Sequence, residues 1–253
     1  MVILTINNSE LDNMRLSNVL TPIDTTMKNF DFSKVIVNKP WGYEYLAYAN
    51  KNIAIWIMYI KKNFCNSMHC HLEKKTNLML LSGKAVFSTL QEGHVIKEGD
   101  IIAIDKKSFH STQAISDEGI FVMEIENPVN KVDLLRLSDE YGRETKGYES
   151  KNEISRNIDS YNAVFFENEE FDKAKRIGNM GLYFKKFEDD RELIEYMNSN
   201  NESINAVVEG TIISDISGEM IMPGKFFSNN HPENKNIKIL EKPLILLSIS
   251  RRD

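Results

Sequence analysis

Between residues 36 and 127 the chain is cut into short segments by turn signals at regular spacing, and this rhythm limits what it can fold into. The signals are Ala49-Asn50-Lys51-Asn52, Ser82-Gly83-Lys84, Glu92-Gly93-His94, Glu98-Gly99-Asp100 and Asp117-Glu118-Gly119. The segments between them are rich in branched and aromatic residues, as in Ile53-Ala54-Ile55-Trp56-Ile57-Met58-Tyr59-Ile60. Short strands with closely spaced turns predict an all-β barrel or sandwich. The Ile53–Ile60 run is far too short to span a bilayer and reads as a buried strand.

Three of the chain's five histidines then fall in informative places. His69 and His71 are two apart, so on a strand they point to one face. His110 follows a further strand-turn-strand passage through Glu98-Gly99-Asp100-Ile101-Ile102. Two same-face imidazoles and a third from a neighbouring strand make a facial ligand set for a divalent transition metal: Zn, Mn, Fe, Co or Ni. Cys70 alternates with the histidines and is expected to point away from them.

His69, His71 and Gly83, then Gly99 and His110, resemble the two-part signature of the cupin superfamily. Asn38-Lys39-Pro40-Trp41-Gly42-Tyr43-Glu44 resembles the entry motif of type II mannose-6-phosphate isomerase-like sugar cupins. Asp133-Leu134-Leu135-Arg136-Leu137-Ser138-Asp139-Glu140-Tyr141-Gly142-Arg143 resembles their closing motif. The chain departs from the pattern at Thr76, where the family carries a glutamate ligand. It departs also at Asn63, Asp105, Lys107 and Ala114. The resemblance implies a double-stranded β-helix with the metal inside and a phosphorylated or nucleotide-linked sugar as substrate.

A second cupin-like copy is expected in the C-terminal third. Gly93–Ile102 matches Gly218–Phe227 without a gap, Leu80-Leu81-Ser82-Gly83 resembles Val207-Val208-Glu209-Gly210, and Gly119–Ile125 resembles Pro243–Ile249. A repeat of this kind implies two copies of one unit. The second copy has no His-x-His, and its one histidine, His231, precedes Pro232 in a polar loop. The expected organisation is an N-terminal arm over 1–35 and a metal-binding barrel over 36–128. A helix-containing connection over 129–160 and a degenerate, metal-free barrel over 161–253 follow. Short helices are predicted after Asn8-Ser9, ending at Thr21-Pro22, and over 171–176 and 188–196.

Candidate catalytic acids are Glu73, close after His71, and Glu124, on the strand after His110. Candidate substrate contacts are Thr76, Gln113 and neighbouring Ser111 for hydroxyls, and Lys84, Arg136 and Arg143 for a phosphate. The arginines can equally pair with Asp133, Asp139 or Glu140. The net charge of −6 offers no general attraction for a nucleic-acid backbone. No membrane span or basic leader is visible, and the two cysteines suit a reducing compartment. A cytoplasmic homodimer acting on a small sugar-type substrate is expected, as a metal-dependent isomerase or epimerase. A non-haem iron dioxygenase with a three-histidine site, or a non-catalytic sugar-binding cupin, are the competing readings.

Overall fold

The computed structural model describes residues 2–19, 27–230 and 236–251. It divides into two units, Met1–Phe165 and Phe166–Asp253. Pro22 and His231 lie outside the described residues.

The first unit begins with β1 (Ile3–Ile6), α1 (Glu10–Leu16), β2 (Ile36–Lys39), β3 (Gly42–Ala49), β4 (Ala54–Ile60) and β5 (Met68–Cys70). It continues with β6 (Lys75–Ser82), β7 (Lys84–Thr89), β8 (Gly93–Lys97), β9 (Ile101–Ile104) and β10 (His110–Ala114). It closes with β11 (Ile120–Asn127), β12 (Leu135–Ser138) and β13 (Ile154–Ser155). Eight strands form one sheet in the order β1-β9-β6-β11-β4-β3-β2-β13, and five form another in the order β12-β5-β10-β7-β8. Met58, Leu78, Leu80, Ile102 and Val122 from the larger sheet meet Ala85, Phe87, Ile96 and Ala114 from the smaller in one apolar core. This is the double-stranded β-helix architecture, all-β with a few short helices.

The N-terminal arm belongs to this unit. β1 pairs in parallel with β9. Ser9 caps α1 through a reciprocal box with Asp12, and the buried Asp12 also accepts the Phe109 N–H at 2.9 Å. The arm therefore braces the residue preceding His110. The segment 129–160 contributes β12 and β13, and its helical pieces are two three-residue 3₁₀ turns. β12 and β13 are four and two residues long, too short for a periodic signal.

The second unit holds β14 (Lys175–Ile177), β15 (Met180–Phe187), α2 (Asp190–Ser199), β16 (Ile204–Ser214), β17 (Met220–Ile221), β18 (Phe226–Ser228) and β19 (Ile237–Arg251). They form one sheet, β14-β15-β19-β16-β17, with β18 also on β16. The predicted helix over 171–176 is instead a turn, with Asp172 at φ +57°, leading into β14, which pairs with β15. α2 lies where a helix is expected, and Leu193, Tyr196 and Met197 bury its apolar stripe against Phe187, Val207 and Leu246.

The two units repeat the same local backbone. In the first, Leu80 pairs with Val122 and Ser82 with Phe121 across a register shift. In the second, Val207 pairs with Leu246 and Glu209 with Ile245, across an equivalent shift. Gly99 and Gly224 donate their N–H groups to Leu80 and Val207 respectively, both at 2.8 Å. Gly83 and Gly210 sit at φ +82° and +83°, in the left-handed region that a side chain disfavours. A Cβ at Gly210 would meet the Glu241 and Pro243 carbonyl oxygens at 2.6 Å.

Candidate metal centre

β10 pairs with β5 so that His110 stands opposite His69. His71 follows one residue after β5 ends and still shares the His69 face, with ring centroids 5.1 Å apart. The three histidines are buried, and one ring nitrogen of each lies within 4.8 Å of those of the others. Among the described residues this is the one such cluster of histidine, cysteine or carboxylate side chains. Cys70 points away and packs with Phe109 and Leu135.

Each Nδ1 faces a backbone carbonyl: His69 faces Ser67 at 2.7 Å, His71 faces Asp133 at 2.5 Å, and His110 faces Ser108 at 3.0 Å. A carbonyl only accepts, so each Nδ1 carries the proton and each Nε2 keeps its lone pair. Burial holds His69 and His71 well below the usual imidazole range and His110 down to about 4. All three are therefore neutral at pH 7. The His71 Nε2 is buried with no hydrogen-bond partner. Neutral imidazoles with backbone-fixed tautomers and converging lone pairs fit a divalent transition metal.

Thr76, at the position where the resemblance calls for a carboxylate, is 1% exposed, and its hydroxyl has no hydrogen-bond partner. The carboxylate facing the histidines is Glu124, whose Oε1 lies 3.9 Å from His71 Nε2. Burial raises its pKa. Glu73 is exposed and accepts a hydrogen bond from Asn130, so it stands outside the cavity. Lys84 and Gln113 are also exposed. Strand parity explains Gln113: His110 points inward, so Thr112 and Ala114 do too, while Ser111 and Gln113 face away.

The cavity beside the histidines has a volume of about 50 Å³ and is lined by Glu124, Arg136 and Arg143, and also by charges not singled out in the sequence. Lys39 lies between Glu44, at 3.2 Å, and Glu149. Lys131 is 2.9 Å from Glu44 and 3.6 Å above the centre of the Trp56 ring. Burial would raise the Glu44 pKa, but Lys131 and Lys39 hold it below the usual carboxylate range. Arg136 donates to the Lys146 carbonyl at 2.7 Å and to Glu149 at 3.2 Å. Arg143 grips Asp139 with two bonds, at 3.1 and 2.6 Å, and reaches Glu149 at 2.6 Å. The arginines thus serve the ion-pair network that walls the cavity. Lys74, 2% exposed, pairs with Glu126, which also accepts from Trp56 at 3.3 Å. Lys39 and Glu44 sit inside the Asn38–Glu44 motif, whose resemblance was the available signal. Nothing in the sequence separates Lys74 and Lys131 from surface lysines.

No protein-family model matches the chain, and no curated protein matches it. Solved structures are similar to part of it. KdgF from a Halomonas species is similar at 12% identity and TM-score 0.35, over 36% of this chain and 84% of that one. A cupin-superfamily sugar phosphate isomerase from Silicibacter pomeroyi is similar at 14% identity and TM-score 0.33, over 34% of this chain and 59% of that one. A cupin-2 domain protein from Rhodospirillum rubrum is similar at 12% identity and TM-score 0.35, over 38% of this chain and 70% of that one. The structural neighbours are cupin-domain proteins. Among the described residues no helix is long and apolar enough to cross a membrane.

Proposed function

We propose that the first unit is a metal-dependent isomerase or epimerase of phosphorylated or nucleotide-linked sugars. The observation that carries this reading is the juxtaposition of three neutral, tautomer-fixed histidines with one buried carboxylate, Glu124, 3.9 Å from His71. His69, His71 and His110 would hold a divalent ion, which when bound would supply Lewis acidity to a carbonyl and its neighbouring hydroxyl. Glu124 takes the proton from the carbon between them and returns it. Its pKa is raised by burial, which brings a carboxylate closer to the strength a general base needs near neutrality. Trp41, Met58 and Leu134 line the same cavity and limit water around the exchanging proton. The opening and closing motifs support a sugar-type substrate.

The test is NMR-detected exchange of the C2 hydrogen with solvent, using metal-loaded protein and a panel of hexose phosphates and nucleotide sugars. Exchange is expected in the wild type and a loss of at least about 100-fold in Glu124→Gln, with metal content retained. Thr76 in the carboxylate position favours a second reading. Three nitrogen ligands without an acid also suit Fe(II) and O₂ chemistry. Oxygen uptake by the iron-loaded protein, without C2 exchange, would replace the isomerase reading. The matching register and glycines of the second unit support its being a degenerate second copy that keeps the scaffold without the histidine pair.

A further inference from the structure

Beside the small inner cavity lies a larger one that no step above uses. Its volume is about 620 Å³, and its walls include Asn38, Pro40, Thr145, Lys146 and Ser150. The two cavities share Arg143, Tyr148 and Glu149. The inner space of about 50 Å³ holds only about three to five waters at roughly 10–15 Å³ each. Small-molecule sites typically run to about 300–1,000 Å³, a range that the outer cavity meets and the inner one does not. A phosphorylated hexose therefore cannot sit wholly beside the histidines.

Charge divides the two spaces as well. Around the inner cavity Lys39, Lys131, Arg136 and Arg143 are all engaged with Glu44, Asp139 or Glu149. Lys146 is different. It is exposed, and its ammonium makes no ion pair among the described residues. Its backbone is nevertheless held in place, because its carbonyl accepts from the buried Arg136 at 2.7 Å. Of the two acids in the outer wall, Glu149 is neutralised by Lys39 and the arginines. Glu153 accepts a hydrogen bond from the Ser150 hydroxyl at 2.7 Å.

We propose that the outer cavity seats the non-reacting, anionic end of the substrate, a sugar phosphate monoester, with Lys146 as its counter-charge. The carbonyl end passes the shared wall of Arg143, Tyr148 and Glu149 to reach the histidines. This rests on the isomerase reading above and adds to it where the phosphate binds.

The test uses the full-length, zinc-loaded protein and fructose 6-phosphate as probe, with fructose for comparison. Affinity is measured by calorimetry, and amide shifts over residues 145–150 are followed by NMR. Lys146→Glu is expected to weaken fructose 6-phosphate at least 10-fold, leaving fructose affinity and zinc content unchanged. Ser150→Trp, which fills the cavity, is expected to weaken both sugars. Lys97→Glu, at an exposed lysine that lines neither cavity, is expected to change neither. If Lys146→Glu and Ser150→Trp leave binding intact while His71→Ala removes it, the outer seat is wrong and the isomerase reading survives. If the wild type binds no fructose 6-phosphate and exchanges no sugar phosphate in the NMR panel, both fall together.

Discussion

His71 gives its Nδ1 proton to the backbone carbonyl of Asp133 at 2.5 Å, while the Asp133 carboxylate takes the N–H groups of Leu72, Glu73 and Lys74 at 2.8, 2.8 and 3.0 Å. One residue from the closing motif therefore fixes both the tautomer of a ligand and the turn that follows it. Partners of this kind fix the tautomer and orientation of a ligand and raise its basicity. Asp133→Ala is expected to weaken metal binding by about 10- to 100-fold. It is also expected to cost about 2–4 kcal/mol of stability, because three N–H groups lose a charged acceptor. Competitive chelator titration and thermal melting read the two effects separately. Unchanged metal affinity would show that the turn holds without its clamp.

Acidification gives a second prediction. Burial lowers all three histidine pKa values in the folded state, His110 to about 4, against about 6.5 in an unfolded chain. The unfolded state therefore binds more protons below pH 6.5, and folding loses stability as pH falls from there towards the folded values. For His110 the span of 6.5 to about 4 corresponds to a loss on the order of 3 kcal/mol. Glu124, raised by burial, has the opposite sign: its stabilising effect is present at low pH and is lost as pH rises through its folded pKa. Melts of chelator-treated protein between pH 8 and pH 4 are expected to fall steeply on the acid side of 6.5. A His110→Gln variant is expected to flatten part of that fall.

The pair of Lys74 and Glu126 supplies a third. Both side chains are almost wholly enclosed, at 2% and 0% exposed. Removing one partner leaves a buried charge, so Lys74→Met is expected to destabilise by about 3–5 kcal/mol. The double change Lys74→Met with Glu126→Leu is expected to recover much of that loss. A double variant as unstable as the single one would mean that the ion pair itself, rather than its orphaned half, carries the stability.

The repeated glycine geometry supplies a fourth. Gly210→Ala places a Cβ 2.6 Å from two carbonyl oxygens, at a φ of +83°. It is expected to destabilise the second unit by more than about 1 kcal/mol, leaving metal content unchanged. Hydrogen exchange resolves the two units. A loss of metal in this variant would tie the centre to the second unit.

Much of the centre was legible because its geometry is local. Two histidines two residues apart share a face wherever the backbone is extended, and the glycine spacings carried His110 to the neighbouring strand. The same parity, counted from His110 along β10, turns Gln113 outward. The N-cap at Ser9 and the helix after Glu188 were equally readable, since capping and an acidic first turn are written in adjacent residues, although Tyr196 rather than Ile194 joins Leu193 and Met197 in the buried stripe. Long-range charge pairing was not. Lys39 meets Glu149 across 110 positions, and Lys74 meets Glu126 across 52. A lysine destined for such a pair looks like any other until the strands are assembled. Glu73 is next to the ligands in sequence, but the turn held by Asp133 brings it to the surface.

The most direct measurement is the metal content of the full-length chain, purified without chelator, by mass spectrometry, with X-ray absorption at the metal edge. One divalent ion per chain, with three imidazole nitrogens in its first coordination shell, is expected in the wild type. Loss of that ion is expected in His71→Ala, with the strand signature of the circular dichroism spectrum retained. A wild-type chain that takes up no divalent ion, or a folded His71→Ala variant that keeps a full equivalent, would contradict the assignment of His69, His71 and His110 as a metal centre.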